Sequence, residues 1–128
     1  MKILLDSCTY LWMLQDSPEL SESARRILLE PDQEIYLSTV SLWELSAKHS
    51  LGGLSLPKNT EKFFRETLER YSLTELPLRL EAVTQLQKLP HHHKDPFDRM
   101  LICQAIAHGL TLLTPDEKIH CYPVLVCW

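Results

Sequence analysis

Lys94-Asp95-Pro96-Phe97-Asp98-Arg99-Met100-Leu101-Ile102-Cys103-Gln104-Ala105 is the stretch on which the fold turns. Its apolar residues Phe97, Leu101, Ile102 and Ala105 recur at helical spacing. Asp95 stands where an N-cap belongs. Pro96 stands where a first-turn proline is tolerated, because the amide it lacks would have no partner there. Asp98 falls in the first turn, at the positive end of the helix macrodipole. Both acids can therefore be read as helix starters and nothing more. What else they do depends on the acids found elsewhere in the chain.

Downstream, Gly109 ends this helix, and residues 110–114 form a buried strand that runs into Pro115-Asp116. Residues 123–128 read as a last strand. Upstream, residues 60–70 and 80–89 are helices, the second closed by Pro90, and residues 71–77 are a short strand that Pro77 consigns to a sheet edge. His91-His92-His93 reads as a solvated turn, since three adjacent imidazoles fan apart in a helix or strand and do not converge on a metal. At the start of the chain, Lys2-Ile3-Leu4-Leu5 is a buried strand that stops at Asp6, and a helix begins at once over residues 7–14. A helix capped by Ser21 follows. A strand over residues 34–38 and a helix over 39–49, ending near Gly52-Gly53, come next. Strands alternate with helices and no hairpin signal joins any two of them. That pattern predicts an α/β fold with a parallel sheet covered on both faces.

At 128 residues, with 45% hydrophobic and 23% charged residues, the chain reads as one soluble domain, 1–128, with a proper core. No apolar run is long enough to span a bilayer and no signal peptide is evident, so no membrane association and a reducing cytoplasm are expected. Cys8, Cys103, Cys121 and Cys127 show no metal-ligand spacing. A net charge of −4 gives no global attraction for nucleic acid. A polyanionic partner would need a local patch or a metal ion.

Asp6 and Asp116 each end a buried strand, while Glu44 and Asp98 each stand near the start of a helix. Parallel strands bring their carboxyl ends to one edge, where ligands bind in open α/β sheets. Each acid has a plainer reading as well. Asp6 suits an N-cap, and Ser41-Leu42-Trp43-Glu44 matches a capping box unless the helix begins earlier, at Ser38 or Thr39, leaving Glu44 free. Four carboxylates together would repel strongly in a low-dielectric site, and a hard divalent cation, Mg²⁺ or Mn²⁺, is the usual resolution. Such an ion can activate water against a phosphodiester and also inverts the local field toward a polyanion. Ser7 and Thr114 offer hydroxyls beside ligand acids, with capping as the equal alternative. Arg99 can meet a phosphate or pair with an acid, though a solvated salt bridge is its more usual fate. Lys48 and Lys94 can hold a polyanion, but lysines near helix ends also answer the helix dipole.

Met1-Lys2-Ile3-Leu4-Leu5-Asp6-Ser7, Val40-Ser41-Leu42-Trp43-Glu44, Asp95 through Ile102, and Leu113-Thr114-Pro115-Asp116 together resemble the ordered motifs of PIN-domain nucleases. More narrowly, the chain is similar to VapC-type toxins of toxin–antitoxin pairs, over essentially its whole length. The resemblance implies a PIN-like three-layer α/β/α fold with a central, mainly parallel sheet. It implies a Mg²⁺- or Mn²⁺-dependent endoribonuclease acting on RNA such as tRNA, with Asp6, Glu44, Asp98 and Asp116 as the catalytic, metal-binding acids and Asp95 mainly a helix starter beside them. It also implies a homodimer silenced by a VapB-like antitoxin, with DNA engaged only through that antitoxin. Ser7 stands where the family more often has threonine, and Pro115 stiffens the loop that carries Asp116. A receiver-like phosphoacceptor would want two adjacent acids after the first strand, and here Asp6 is followed by Ser7. A non-catalytic metal- or RNA-binding PIN-like module is the remaining alternative, against which the presence of all four acids argues.

Overall fold

A computed structural model describes all residues, 1–128. Five strands, β1 (Lys2–Leu5), β2 (Glu34–Ser38), β3 (Leu73–Leu76), β4 (Thr111–Leu113) and β5 (Val126–Cys127), form one sheet in the order β3-β2-β1-β4-β5. Every pairing is parallel, with Ile3 beside Ile35 on one side of the central strand and beside Thr111 on the other. The helices are α1 (Ser7–Gln15), α2 (Glu22–Leu29), α3 (Thr39–Ser50), α4 (Thr60–Arg70), α5 (Leu80–Gln85) and α6 (Pro96–His108). This is the three-layer α/β/α arrangement expected from the sequence.

Side chains alternate across a strand, so each face of the sheet collects its own core. Leu4 and Leu112 point to the face covered by α6 and α5, where they meet Leu101, Ile102, Ala105 and Ala82. Ile3, Leu5, Ile35, Leu37 and Leu113 point to the other, against Tyr10, Leu20 and Ala24 of the α1–α2 side. The central strand reads as a continuous apolar run because both of its faces are covered. β3 lies at the sheet edge, and Pro77 follows it directly, where its missing amide interrupts no ladder.

Helix starts are set by named caps. Asp95 accepts from the amides of Phe97 and Asp98 at 2.8 and 3.2 Å, Pro96 occupies the first turn, and Gly109 closes α6 at φ 67°. Ser38 caps α3, accepting from the Val40 amide at 3.0 Å, so the helix begins before Ser41 and the capping-box reading of Glu44 falls away. Four expected elements are shorter, among them β3 and β4, which each lose residues at their ends. α5 tightens into a 3₁₀ turn over Leu86–Lys88, and the last strand is only Val126–Cys127, with the Leu125 carbonyl just before it accepting from the Leu112 amide at 2.8 Å.

Candidate active site

The site is assembled at the carboxyl ends of the strands. Asp6 leaves β1 and caps α1, its Oδ1 accepting from the Thr9 amide at 2.8 Å and from the Cys8 thiol at 3.4 Å. It is a cap and a cavity residue at once, so its two readings from sequence do not compete. Glu44 lies inside α3 with both carboxylate oxygens engaged: Ser7 Oγ donates to Oε1 at 2.7 Å, and Lys48 Nζ, one turn on, to Oε2 at 2.7 Å. Asp98 stands in the first turn of α6. Asp116 sits past β4 on a short turn, where its amide donates to Thr114 Oγ1 at 3.1 Å and its Oδ1 accepts from the Lys118 amide at 2.9 Å. All four acids, with Asp95, Ser7, Cys8 and Lys48, line one cavity of about 240 Å³. A larger cavity of about 360 Å³ between α5 and α6 is mainly apolar and has no carboxylate on its walls.

The electrostatics of this cavity are those of crowded acids. Burial, then the charge of Asp95, pushes Asp98 up to about 7, with Asp6 and Glu44 adding to the rise and His93 opposing it. Burial also raises Asp6 above the ordinary carboxylate range, against hydrogen bonds from Thr114, Thr9 and Cys8 that favour its charged form. The hydrogen bond to Glu44 raises Lys48, which therefore stays charged. Burial and the neighbouring Asp6 raise the Cys8 thiol, so it contributes no thiolate. One lysine does not balance the acids on the cavity wall, and the donor atoms are mostly hard oxygens. The residues present fit a divalent cation that prefers oxygen ligands.

The other residues singled out from sequence are placed as follows. Thr114 is fully buried beneath Asp6 and Asp116, and Ser7 holds Glu44. Arg99 turns away from the acids. It is buried, and its guanidinium donates to the Pro90 carbonyl at 2.8 Å and the Tyr122 hydroxyl at 3.1 Å, so neither the ion pair nor the solvated salt bridge weighed for it forms. Lys94 is exposed and borders the apolar cavity. The reading of the histidine run as a solvated turn holds for His91 and His92 but not for His93. Its Nε2 lies 2.9 Å from Asp98 Oδ2 and 3.0 Å from Asp116 Oδ2, and its side chain is only 11% exposed. Three imidazoles weighed as a set concealed the one that turns inward.

A family model described as PIN domain matches residues 3–124. Nothing matches among curated proteins. Among solved structures, VapBC2 of Rickettsia felis, bound to a DNA fragment from its promoter, superposes with a TM-score of 0.74 at 17% identity, covering 99% of this chain and 98% of that one. DNA-bound VapBC of Salmonella typhimurium gives 0.70 at 19% identity, covering 99% and 97%. FitAcB of Neisseria gonorrhoeae gives 0.62 at 22% identity, covering 97% and 95%. At these identities the likeness is one of fold.

Proposed function

Because the chain belongs to the PIN-domain family, we propose that it is a Mg²⁺- or Mn²⁺-dependent endoribonuclease, the toxin of a pair whose partner is a VapB-like antitoxin. The observation that carries this is the gathering of Asp6, Glu44, Asp98 and Asp116 on one cavity at the carboxyl edge of a parallel sheet. Asp6, Glu44, Asp98 and Asp116 would hold the ion. When bound, it would neutralise phosphodiester charge and activate the attacking water. The protein's own part is to hold the acids in place. Thr9 and Thr114 fix Asp6, Ser7 and Lys48 fix both oxygens of Glu44, and the α6 cap fixes Asp98. Lys48, more than half exposed at the rim, is the cation best placed to meet RNA.

The antitoxin reading draws support from the similar structures, which are toxin–antitoxin complexes of VapBC and FitAB type, three of them bound to DNA. DNA would be engaged through the antitoxin, in keeping with this chain's net charge of −4. A homodimer is supported by the apolar surface on α3, α5 and the turn after α5, where Trp43, Leu80, Val83 and Leu86 are exposed. Four free cysteines suit a reducing cytoplasm, and no helix is long and apolar enough to cross a membrane.

Cleavage of a small-RNA pool by the antitoxin-free protein tests the reading, with Mg²⁺, Mn²⁺ or EDTA and with Asp98→Asn alongside. Discrete metal-dependent products that the variant does not make are expected. Folded protein that takes up Mn²⁺ and cuts no RNA would turn the assignment toward a binding module.

A further inference from the structure

His93 resembles a metal ligand at first sight, because its Nε2 and one oxygen each of Asp98 and Asp116 fall within 4.8 Å of one another. The other ring nitrogen argues against that. Nδ1 accepts the backbone N–H of Asp95 at 3.2 Å. A neutral imidazole has one donor and one acceptor nitrogen, so an accepting Nδ1 leaves the proton on Nε2, the atom that faces the two carboxylates. Coordination through Nε2 would require that nitrogen bare and would set an Nδ1–H against the Asp95 N–H.

The ring is also held from behind. The amides of His92 and His93 donate to the Tyr122 hydroxyl at 2.9 and 2.8 Å, and Arg99 donates to the same oxygen. Buried Arg99 and Tyr122 thereby fix the backbone that presents His93. On the far side, Asp116 needs such a hold. Its turn anchors only Oδ1, its side chain is 35% exposed, and its charge opposes that of Asp98.

We propose that His93 is a positioning residue of this site: an Nε2–H donor that draws Asp116 against Asp98 and sets the fourth carboxylate, without ligating the ion itself. The proposal rests on the metal reading above. Arg99, Tyr122 and His93 form one line of contact from the interior to the cavity, and this gives Arg99 an indirect part in the site.

The experiment pairs Mn²⁺ titration calorimetry with long-range ¹H–¹⁵N correlation of the histidine rings, metal-free and with Mg²⁺. His93→Ala should weaken Mn²⁺ binding about 10–100-fold, the usual cost of removing a residue that orients a ligand. His93→Gln, which restores an N–H donor, should recover most of that loss. The proton of His93 should stay on Nε2 in both states. Loss of that proton on adding Mg²⁺ would make His93 a ligand and overturn the proposal, as would wild-type affinity in His93→Ala or a His93→Gln no better than alanine. Wild-type protein that takes up no Mn²⁺ would instead overturn the metal reading, and the metal-free ring spectrum would still decide whether His93 donates to the acids.

Discussion

The four acids fall into an inner and an outer pair. Asp6 and Glu44 are almost fully buried, and each is held by a residue of an adjoining helix, Thr9 for Asp6 and Ser7 for Glu44, with Lys48 of its own helix engaging the second oxygen of Glu44. Asp98 and Asp116 lie nearer the surface, with side chains 20% and 35% exposed, and are joined through one imidazole. The inner pair is therefore fixed by the parallel sheet and its flanking helices. The outer pair joins a helix terminus to a turn, and its geometry depends on a loop. The lesson is that acids of one cavity differ in how much of the fold stands behind each.

Substitution of each acid by its amide tests this contrast most severely. Asp6→Asn should lower metal-dependent cleavage by more than about a hundredfold, beyond what loss of an orienting neighbour costs. Asp116→Asn should cost less, and equal losses at the two positions would erase the distinction between the pairs. Tyr122→Phe acts on the outer pair alone. It removes the acceptor of two backbone amides and of Arg99, so thermal melts should show about 1–3 kcal/mol of destabilisation. Glu44 should keep its contacts in that variant.

The outer pair should also respond to pH. Asp98 is pushed up to about 7, chiefly by burial and then by Asp95. From its ordinary range up to that point the metal-free fold keeps a proton that the unfolded chain has released. This group's contribution to stability is thus greatest in acid and is lost as pH rises through about 7. Mn²⁺ must displace the same proton, so calorimetric affinity should rise by up to about tenfold per pH unit below neutrality and level off above it. Asp98→Asn should remove the destabilisation and raise the melting temperature of metal-free protein at alkaline pH while abolishing cleavage. At the inner pair, Ser7→Ala frees one oxygen of Glu44 while Lys48 keeps the other. An activity loss of about tenfold or less is expected.

Local chemistry made most of the fold legible. Asp95-Pro96 announced α6, Ser21 announced α2, and the uninterrupted Lys2–Leu5 run gave a strand covered on both faces. Pro77 marked the sheet edge. Where the reading stayed open, a choice between neighbouring hydroxyls decided it: Ser38 rather than Ser41 caps α3, and this turns Glu44 into the cavity. Arg99 and His93 were beyond local reading for a common reason. Both answer to Tyr122, whose place near them depends on a turn more than twenty residues downstream. The apparent charge partner of Arg99, its neighbour Asp98, points the other way around the helix.

The central position of β1 in the sheet has a consequence for timing. Its register with β4 pairs Leu5 with Leu113, and only that pairing brings Asp116, 110 positions later in the chain, to Asp6. At usual rates of synthesis those positions are made roughly 5–20 s apart. A growing chain carries Asp6 and Glu44 early but has no complete cavity until β4 and the turn that bears Asp116 leave the ribosome. On the nuclease reading proposed above, the unfinished chain would spare the RNA around it until that cavity forms.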